Sequence, residues 1–152
     1  MEIRIDDLQG AAIAALLQVH LDAMHKHSPP ESVHALDLEA LRHPSITFWT
    51  AWDGNALMGC GALKTHSATH AELKSMRTAA GHERKGVARA LLRHIEAAAR
   101  AQGVQHISLE TGTNAPFFPA HSLYESEGFV DCGPFADYQL DPYSRFMTKA
   151  LT

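Results

Sequence analysis

The stretch Glu72-Leu73-Lys74-Ser75-Met76-Arg77, the loop Thr78 to Lys85 behind it, and the run Gly86-Val87-Ala88-Arg89-Ala90-Leu91-Leu92 decide how this chain folds. Ala71 to Arg77 reads as a strand. At Gly86 the apolar spacing turns helical: Ala88, Leu91, Leu92, Ile95, Ala98 and Ala99 form one stripe, with Arg89, Arg93, Glu96 and Arg100 mostly off it. This helix of about four turns stops at Gly103, a natural C′ glycine. A loop ending in Lys85-Gly86-Val87-Ala88 gathers unpaired backbone N–H groups and the positive end of the helix macrodipole, and Arg84 and Lys85 add charge. Such a start suits a phosphate or pyrophosphate, and small residues at 86 and 88 let one approach the backbone. A capped surface helix flanked by basic residues carries the same local signature. Two other phosphate loops are excluded. Gly81 and Gly86 have Walker A spacing, but Val87 and Ala88 stand where Lys and Ser/Thr are needed, and no G-x-G-x-x-G run follows a strand.

Outward from this unit, Glu2 to Ile5 is a short strand. Ile13, Leu16, Leu17, His20, Leu21 and Met24 then follow helical spacing, with Asp6 or Asp7 placed to cap. After the loop signal His25 to Pro30, a short second helix is expected around Leu38 to Arg42. Ile46 to Trp52 is β-branched and aromatic, Asp53-Gly54-Asn55 turns the chain, and Ala56 to Lys64 is the partner strand. His106 to Thr111 alternates as a strand, Phe117 to Glu127 is helical up to Gly128, and Phe129 to Cys132 and Phe146 to Leu151 are closing strands. Hairpins first and a β-α-β unit later predict an α/β (α+β) sandwich: a mixed, mostly antiparallel sheet of six to seven strands, with helices on both faces.

The chain has 152 residues, 45% of them hydrophobic and 20% charged, with a formal charge of −4. No repeat or linker divides it, so residues 1–152 read as one domain, long enough for a core without staples. Two cysteines, Cys60 and Cys132, make no disulfide framework, which points to free thiols in the cytoplasm. The mixed, acidic start and the lack of a long apolar run predict neither a leader nor membrane insertion. The acidic balance argues against a nucleic-acid binder built on Arg84, Lys85, Arg89, Arg93 and Arg100. Eleven histidines raise a metal site, but His25-x-His27 and His66…His70 lack the compact Cys/His grouping of zinc sites, so none is expected.

His82 to Leu92 resembles the acyl-CoA pyrophosphate loop of the GNAT superfamily of acetyl-CoA-dependent N-acetyltransferases, [Q/R]-x-x-G-x-[G/A] at a helix start. Gly86 and Ala88 match, Glu83 stands at the Gln/Arg position, and Arg84 lies next to it. Ala120-His121-Ser122-Leu123-Tyr124-Glu125-Ser126-Glu127-Gly128-Phe129 is similar to the family's A-x-x-L-Y-x-x-x-G-F element, whereas Phe117 replaces a frequent cofactor-contacting Asn. The element order is the family's throughout. Phe135 to Tyr138 and Asp141 to Met147 further resemble a bacterial branch of small members.

The resemblance implies acetyl-CoA as co-substrate, no metal, and direct acetyl transfer to a primary amine, expected to belong to a small molecule. The pyrophosphate would meet the N–H groups of Arg84, Lys85, Gly86, Val87 and Ala88, and the pantetheine arm would pair with Lys74 to Arg77, chiefly at Met76 and Arg77. Tyr124 would protonate the departing thiolate. A carboxylate is needed to take the amine proton, and Glu72 and Glu110 compete for that part. His121, three residues before Tyr124, is expected to line the acceptor pocket. Cys60, between two glycines in an apolar strand, reads as a buried small hydrophobe and not as a nucleophile. A homodimer fits the family. The rival reading is a catalytically idle acyl-CoA-binding module or sensor.

Overall fold

Gly54 and Asn55 turn the chain between two strands rich in β-branched and aromatic residues, and the resulting hairpin is the centre of one half of the sheet. A computed structural model describes residues 1–151. The strands are β1 (Glu2–Ile5), β2 (Ile46–Asp53), β3 (Ala56–Thr65), β4 (His70–Thr78), β5 (His106–Gly112), β6 (Val130–Asp131) and β7 (Ser144–Ala150). The α-helices are α1 (Ala11–His27), α2 (Val87–Ala101) and α3 (Phe118–Ser126). All seven strands form one sheet in the order β1-β2-β3-β4-β5-β7-β6, antiparallel at every pairing except β4 with β5. That parallel pair requires a crossover, and α2 supplies it.

Alternation along the strands divides the core between the two faces. Phe48, Cys60 and Ala62 pack with Ile13, Leu16 and Leu17 of α1. Trp49, Ala51, Leu63 and Leu73 pack with Leu91, Leu92, Ile95 and Ala99 of α2, and Tyr124 and Phe129 complete this second cluster. Among the described residues no helix is long and apolar enough to cross a membrane.

The element boundaries depart from the sequence reading in five places. Asp6 and Asp7 do not cap α1, because their carboxylates accept the N–H groups of Leu8 and Gln9 at 2.7 and 3.0 Å. These short loops compete with helix formation, and α1 begins only after Gly10. The expected second helix shrinks to a 3₁₀ turn at Ala40–Arg42, where the Asp37 carboxylate accepts the Ala40 N–H at 2.8 Å. Residues Ala115–Phe117 form a 3₁₀ turn, and α3 starts at Phe118 with Pro119 in its first turn. The late strand at Phe129 to Cys132 pairs only at Val130 and Asp131, and β7 opens at Ser144.

Both late helices end as the glycine spacing predicts. At Gly128 (φ 95°) the N–H of Phe129 returns to the Tyr124 carbonyl at 2.9 Å and that of Gly128 to the Glu125 carbonyl at 3.1 Å. The Tyr124 and Phe129 rings pack 5.7 Å apart, the apolar contact of a Schellman end. The L-Y-x-x-x-G-F pattern is therefore a helix stop that also pins the Tyr124 ring. Gly128→Ala places a side chain in left-handed backbone and is expected to cost about 1–2 kcal/mol. Thermal denaturation should show a melting temperature lower by several degrees, at roughly 2–4 °C per kcal/mol for this length, with Gly128→Asn less affected.

Candidate active site

Strands β4 and β5 pair in parallel only from His70–Leu73 to His106–Leu109. Beyond that, β5 stays with β7 as far as Gly112, while β4 follows β3 through a bulge. Cys60 faces Arg77 and Ala62 faces Lys74, so β4 spends one extra residue between them. Ser75 takes the left-handed conformation there (φ 55°) and its carbonyl accepts the Cys60 thiol at 3.3 Å. The facing edges of Lys74–Arg77 and Glu110–Thr111 are left without a strand partner. They border a cavity of about 330 Å³, closed by His20 and His27 of α1, by Tyr124 of α3 and by Tyr138. Met76 lines this cavity and also packs against the α2 cluster, where a Cβ on Gly61 would meet its sulfur.

The loop after β4 leads to the start of α2. Arg84 (φ 63°) and Gly86 (φ 79°) are both left-handed, with Gly86 at the N-cap. Among the described residues, the N–H groups from Glu83 to Arg89 have no backbone acceptor; the first bond belongs to Ala90, to the Gly86 carbonyl at 3.0 Å. Free donors and the helix dipole of this kind suit an anion, and a Cβ at Gly86 would point into open space. Arg84 and Lys85 are exposed beside it. Glu83 turns away: its carboxylate accepts the Gly81 N–H at 2.8 Å, and backbone N–H donation holds it below the usual carboxylate range.

The two candidate carboxylates have different surroundings. Glu72 is buried, and both its oxygens are taken: His66 Nε2 donates to Oε1 at 2.8 Å, while Lys74 Nζ and the Tyr138 hydroxyl donate to Oε2 at 3.1 and 2.6 Å. Glu110 has no cation within ion-pair distance among the described residues. Burial pushes its carboxyl up to about 7, against the opposing influence of the Ser144 hydroxyl and of Lys74. Tyr124 lines the same cavity, 7% exposed, and burial followed by the Glu110 charge pushes its phenol up, so it holds its proton. His20 is lowered to about 4 by burial and by Arg77 and is a neutral imidazole.

The other candidates are placed as follows. His121 is set apart from the cavity lining: its Nε2 donates to the Gly112 carbonyl at 2.7 Å, because the helical step puts Ala120, and not His121, in line with Tyr124. Phe117 covers Gly112, where a Cβ would come within 2.2 Å of its ring. Cys60 is fully buried and its thiol is pushed up to about 12 by burial, which leaves no thiolate for nucleophilic work. The His66 and His70 ring centroids lie 5.5 Å apart, and their Nε2 atoms bond Glu72 and Ser108. Sequence reasoning gave no site role to His20, His34 or Tyr138. Their sequence distance from Glu110 leaves no spacing to read.

Solved acyltransferases share this sheet, split over a cavity beside a donor-rich helix start. A crystal structure from Klebsiella pneumoniae subsp. pneumoniae MGH 78578, of a protein assigned as an acyl-CoA N-acyltransferase, matches with a TM-score of 0.80 at 26% identity, covering 99% of this chain and 97% of that one. An aminoglycoside 6′-N-acetyltransferase complexed with coenzyme A shares the fold, with a TM-score of 0.76 at 15% identity, over 100% of this chain and 98% of its own. The chain belongs to the acetyltransferase (GNAT) family, whose model matches residues 13–129. It is 57% identical to the uncharacterized N-acetyltransferase YsnE of Bacillus subtilis (strain 168), over 99% of this chain and 100% of the relative. It is 52% identical to the uncharacterized N-acetyltransferase YedL of Escherichia coli (strain K12), over 98% and 94%.

The Glu110 environment has a measurable consequence. Its carboxyl binds a proton up to about pH 7 when folded and only near 4.5 when unfolded, so between these values the native state holds more protons. The associated stability is present at low pH and is lost as pH rises through about 7. Urea unfolding of wild type and Glu110→Gln should diverge between about pH 5 and 8, wild type falling relative to the variant by roughly 2–3 kcal/mol. A constant difference across that range means the carboxyl is unshifted.

Proposed function

We propose that the chain transfers the acetyl group of acetyl-CoA directly to the primary amine of a small molecule. One observation carries the reading: Glu110, with its raised pKa, and Tyr124, with its retained proton, open onto the one cavity between the parted edges of β4 and β5. The pyrophosphate is held by the N–H groups of Arg84 to Ala88, with Lys85 adding charge, and Gly86 keeps the approach open. The pantetheine arm lies along Lys74–Arg77 as an added strand, using backbone groups of Met76 and Arg77 that no strand occupies.

Glu110 takes a proton from the acceptor ammonium, a transfer that suits a base titrating near neutral pH. The amine nitrogen forms its bond to the thioester carbonyl carbon, and the C–S bond breaks as the intermediate collapses. Tyr124 gives its proton to the departing thiolate, and the proton lost by nitrogen as the amide forms restores Tyr124. Glu72 lines the cavity too, but its oxygens already accept from His66, Lys74 and Tyr138, so the base role falls to Glu110, which has no cation on it among the described residues. His121 anchors α3 to the end of β5. The free thiols of Cys60 and Cys132 support a cytoplasmic setting.

The test is thiol release from acetyl-CoA with a panel of amino acids, polyamines, aminoglycosides and peptides. On the amine that works, Tyr124→Phe should lower kcat by at least about tenfold with acetyl-CoA affinity nearly unchanged, since general-acid assistance is worth ~10²–10⁴-fold. A wild-type kcat where chemistry limits the rate assigns Tyr124 to packing alone. In calorimetry, Gly86→Glu should weaken acetyl-CoA binding at least about tenfold, because a carboxylate then stands at the pyrophosphate site. Unchanged affinity in a folded variant removes the loop from the site.

A further inference from the structure

A second cavity, of about 400 Å³, lies outside the first. It runs between Lys64, His66 and the segment 136–141. Four residues line both cavities: His34, Glu72, Lys74 and Tyr138. They are the partition between the two spaces, and three of them are bonded into one unit. The Tyr138 hydroxyl and Lys74 Nζ share Glu72 Oε2 at 2.6 and 3.1 Å, Lys74 Nζ also meets the Tyr138 oxygen at 3.0 Å, and His66 Nε2 holds Oε1 at 2.8 Å. The Lys74 side chain is only 9% exposed. A buried ionic cluster with every partner supplied is stiff, because any displacement leaves a charge unpaired in low dielectric.

Glu72 and Lys74 belong to the sheet; Tyr138 is the element that crosses to them from the segment between β6 and β7. Its ring is gripped by His34 and Phe135, each with a centroid separation of 5.0 Å, and by Phe146 at 5.5 Å. The segment itself is tied down on the far side by the Ser32 hydroxyl bonded to the Asp141 carboxylate. Aromatic edges on one side and the Glu72 bond on the other leave the ring no free rotation.

We propose that Tyr138 sets the size of the acceptor: it closes the inner cavity against the outer one, so that only a short amine is housed with its nitrogen at Glu110. Truncating it joins the two cavities into one channel that admits long, polar amines. This rests on the reading of the inner cavity as the acceptor site, and the readouts are chosen to keep the two apart. Affinities of glycinamide, diglycinamide and tetraglycinamide for the CoA-loaded protein are measured by calorimetry, and thiol release from acetyl-CoA is measured separately with each.

Wild type should prefer glycinamide over tetraglycinamide, and Tyr138→Ala should shift that affinity ratio at least about tenfold toward the long amine, a change of about 1.4 kcal/mol. Tyr138→Leu keeps the apolar contact with Phe135 and Phe146 but cannot reach Glu72; it gives the same shift should the alanine variant fail to fold. Tyr138→Phe keeps the bulk and should keep the wild-type ratio, which separates a steric wall from a hydrogen-bond effect. An unmoved ratio in a folded Tyr138→Ala or Tyr138→Leu protein, with turnover of glycinamide intact in wild type, overturns the wall alone. So does a wild-type protein that binds both ends of the series equally. No binding and no turnover across the whole series removes the acceptor reading, and the wall with it.

Discussion

Beyond Leu73 and Leu109 the facing edges of β4 and β5 have no strand partner, and backbone donors and acceptors left open inside a fold must be met by something else. The remaining architecture follows from that opening. The bulge at Ser75 draws β4 toward β3, and continued pairing with β7 draws β5 the other way, so the gap widens into a cavity. Parallel pairing at its root demands a crossover helix, and the chain leaving the carboxyl end of β4 reaches the start of α2, bringing the free N–H groups around Gly86 into the same region. Strand edge and helix start are two donor-rich surfaces produced by one topological choice.

The carboxylates that border this opening show how surroundings set identical groups apart. Glu72 is surrounded by donors from three residues. Glu110 lies farther along the gap without such partners, so burial dominates and its affinity for a proton rises to the neutral range. At Glu110 the loss of water outweighs the Ser144 hydroxyl and Lys74, and it appears as basicity. Backbone strain collects in the same places. The non-glycine residues with positive φ include Ser75 at the inner cavity, Arg84 in the anion loop and Ala136 at the outer cavity.

Much of this was legible along the chain. The change from strand to helical periodicity at Gly86, the turn at Gly54-Asn55 and the stops at Gly103 and Gly128 are local signals, and each has its structural counterpart. The local signals also failed locally: Asp6 and Asp7 bond their own loop, and the apolar run at Leu38 to Arg42 is too short to hold more than a single turn. His121 shows the limit of spacing on a short helix, where a step of three residues already rotates the side chain off the cavity toward the Gly112 carbonyl.

By itself the sequence determined the order of elements, the two-faced packing and the donor-rich helix start, because each depends on residues within a few turns or strands of one another. Only the tertiary structure gave Glu72 and Glu110 different surroundings, since the donors on Glu72 include Tyr138, 66 residues away. It alone also brought Tyr138 between two cavities and withdrew His20 from water to a neutral state. Proton affinity and cavity shape depend on which groups surround a side chain in space, and that neighbourhood exists only once the sheet has closed and its strands have parted.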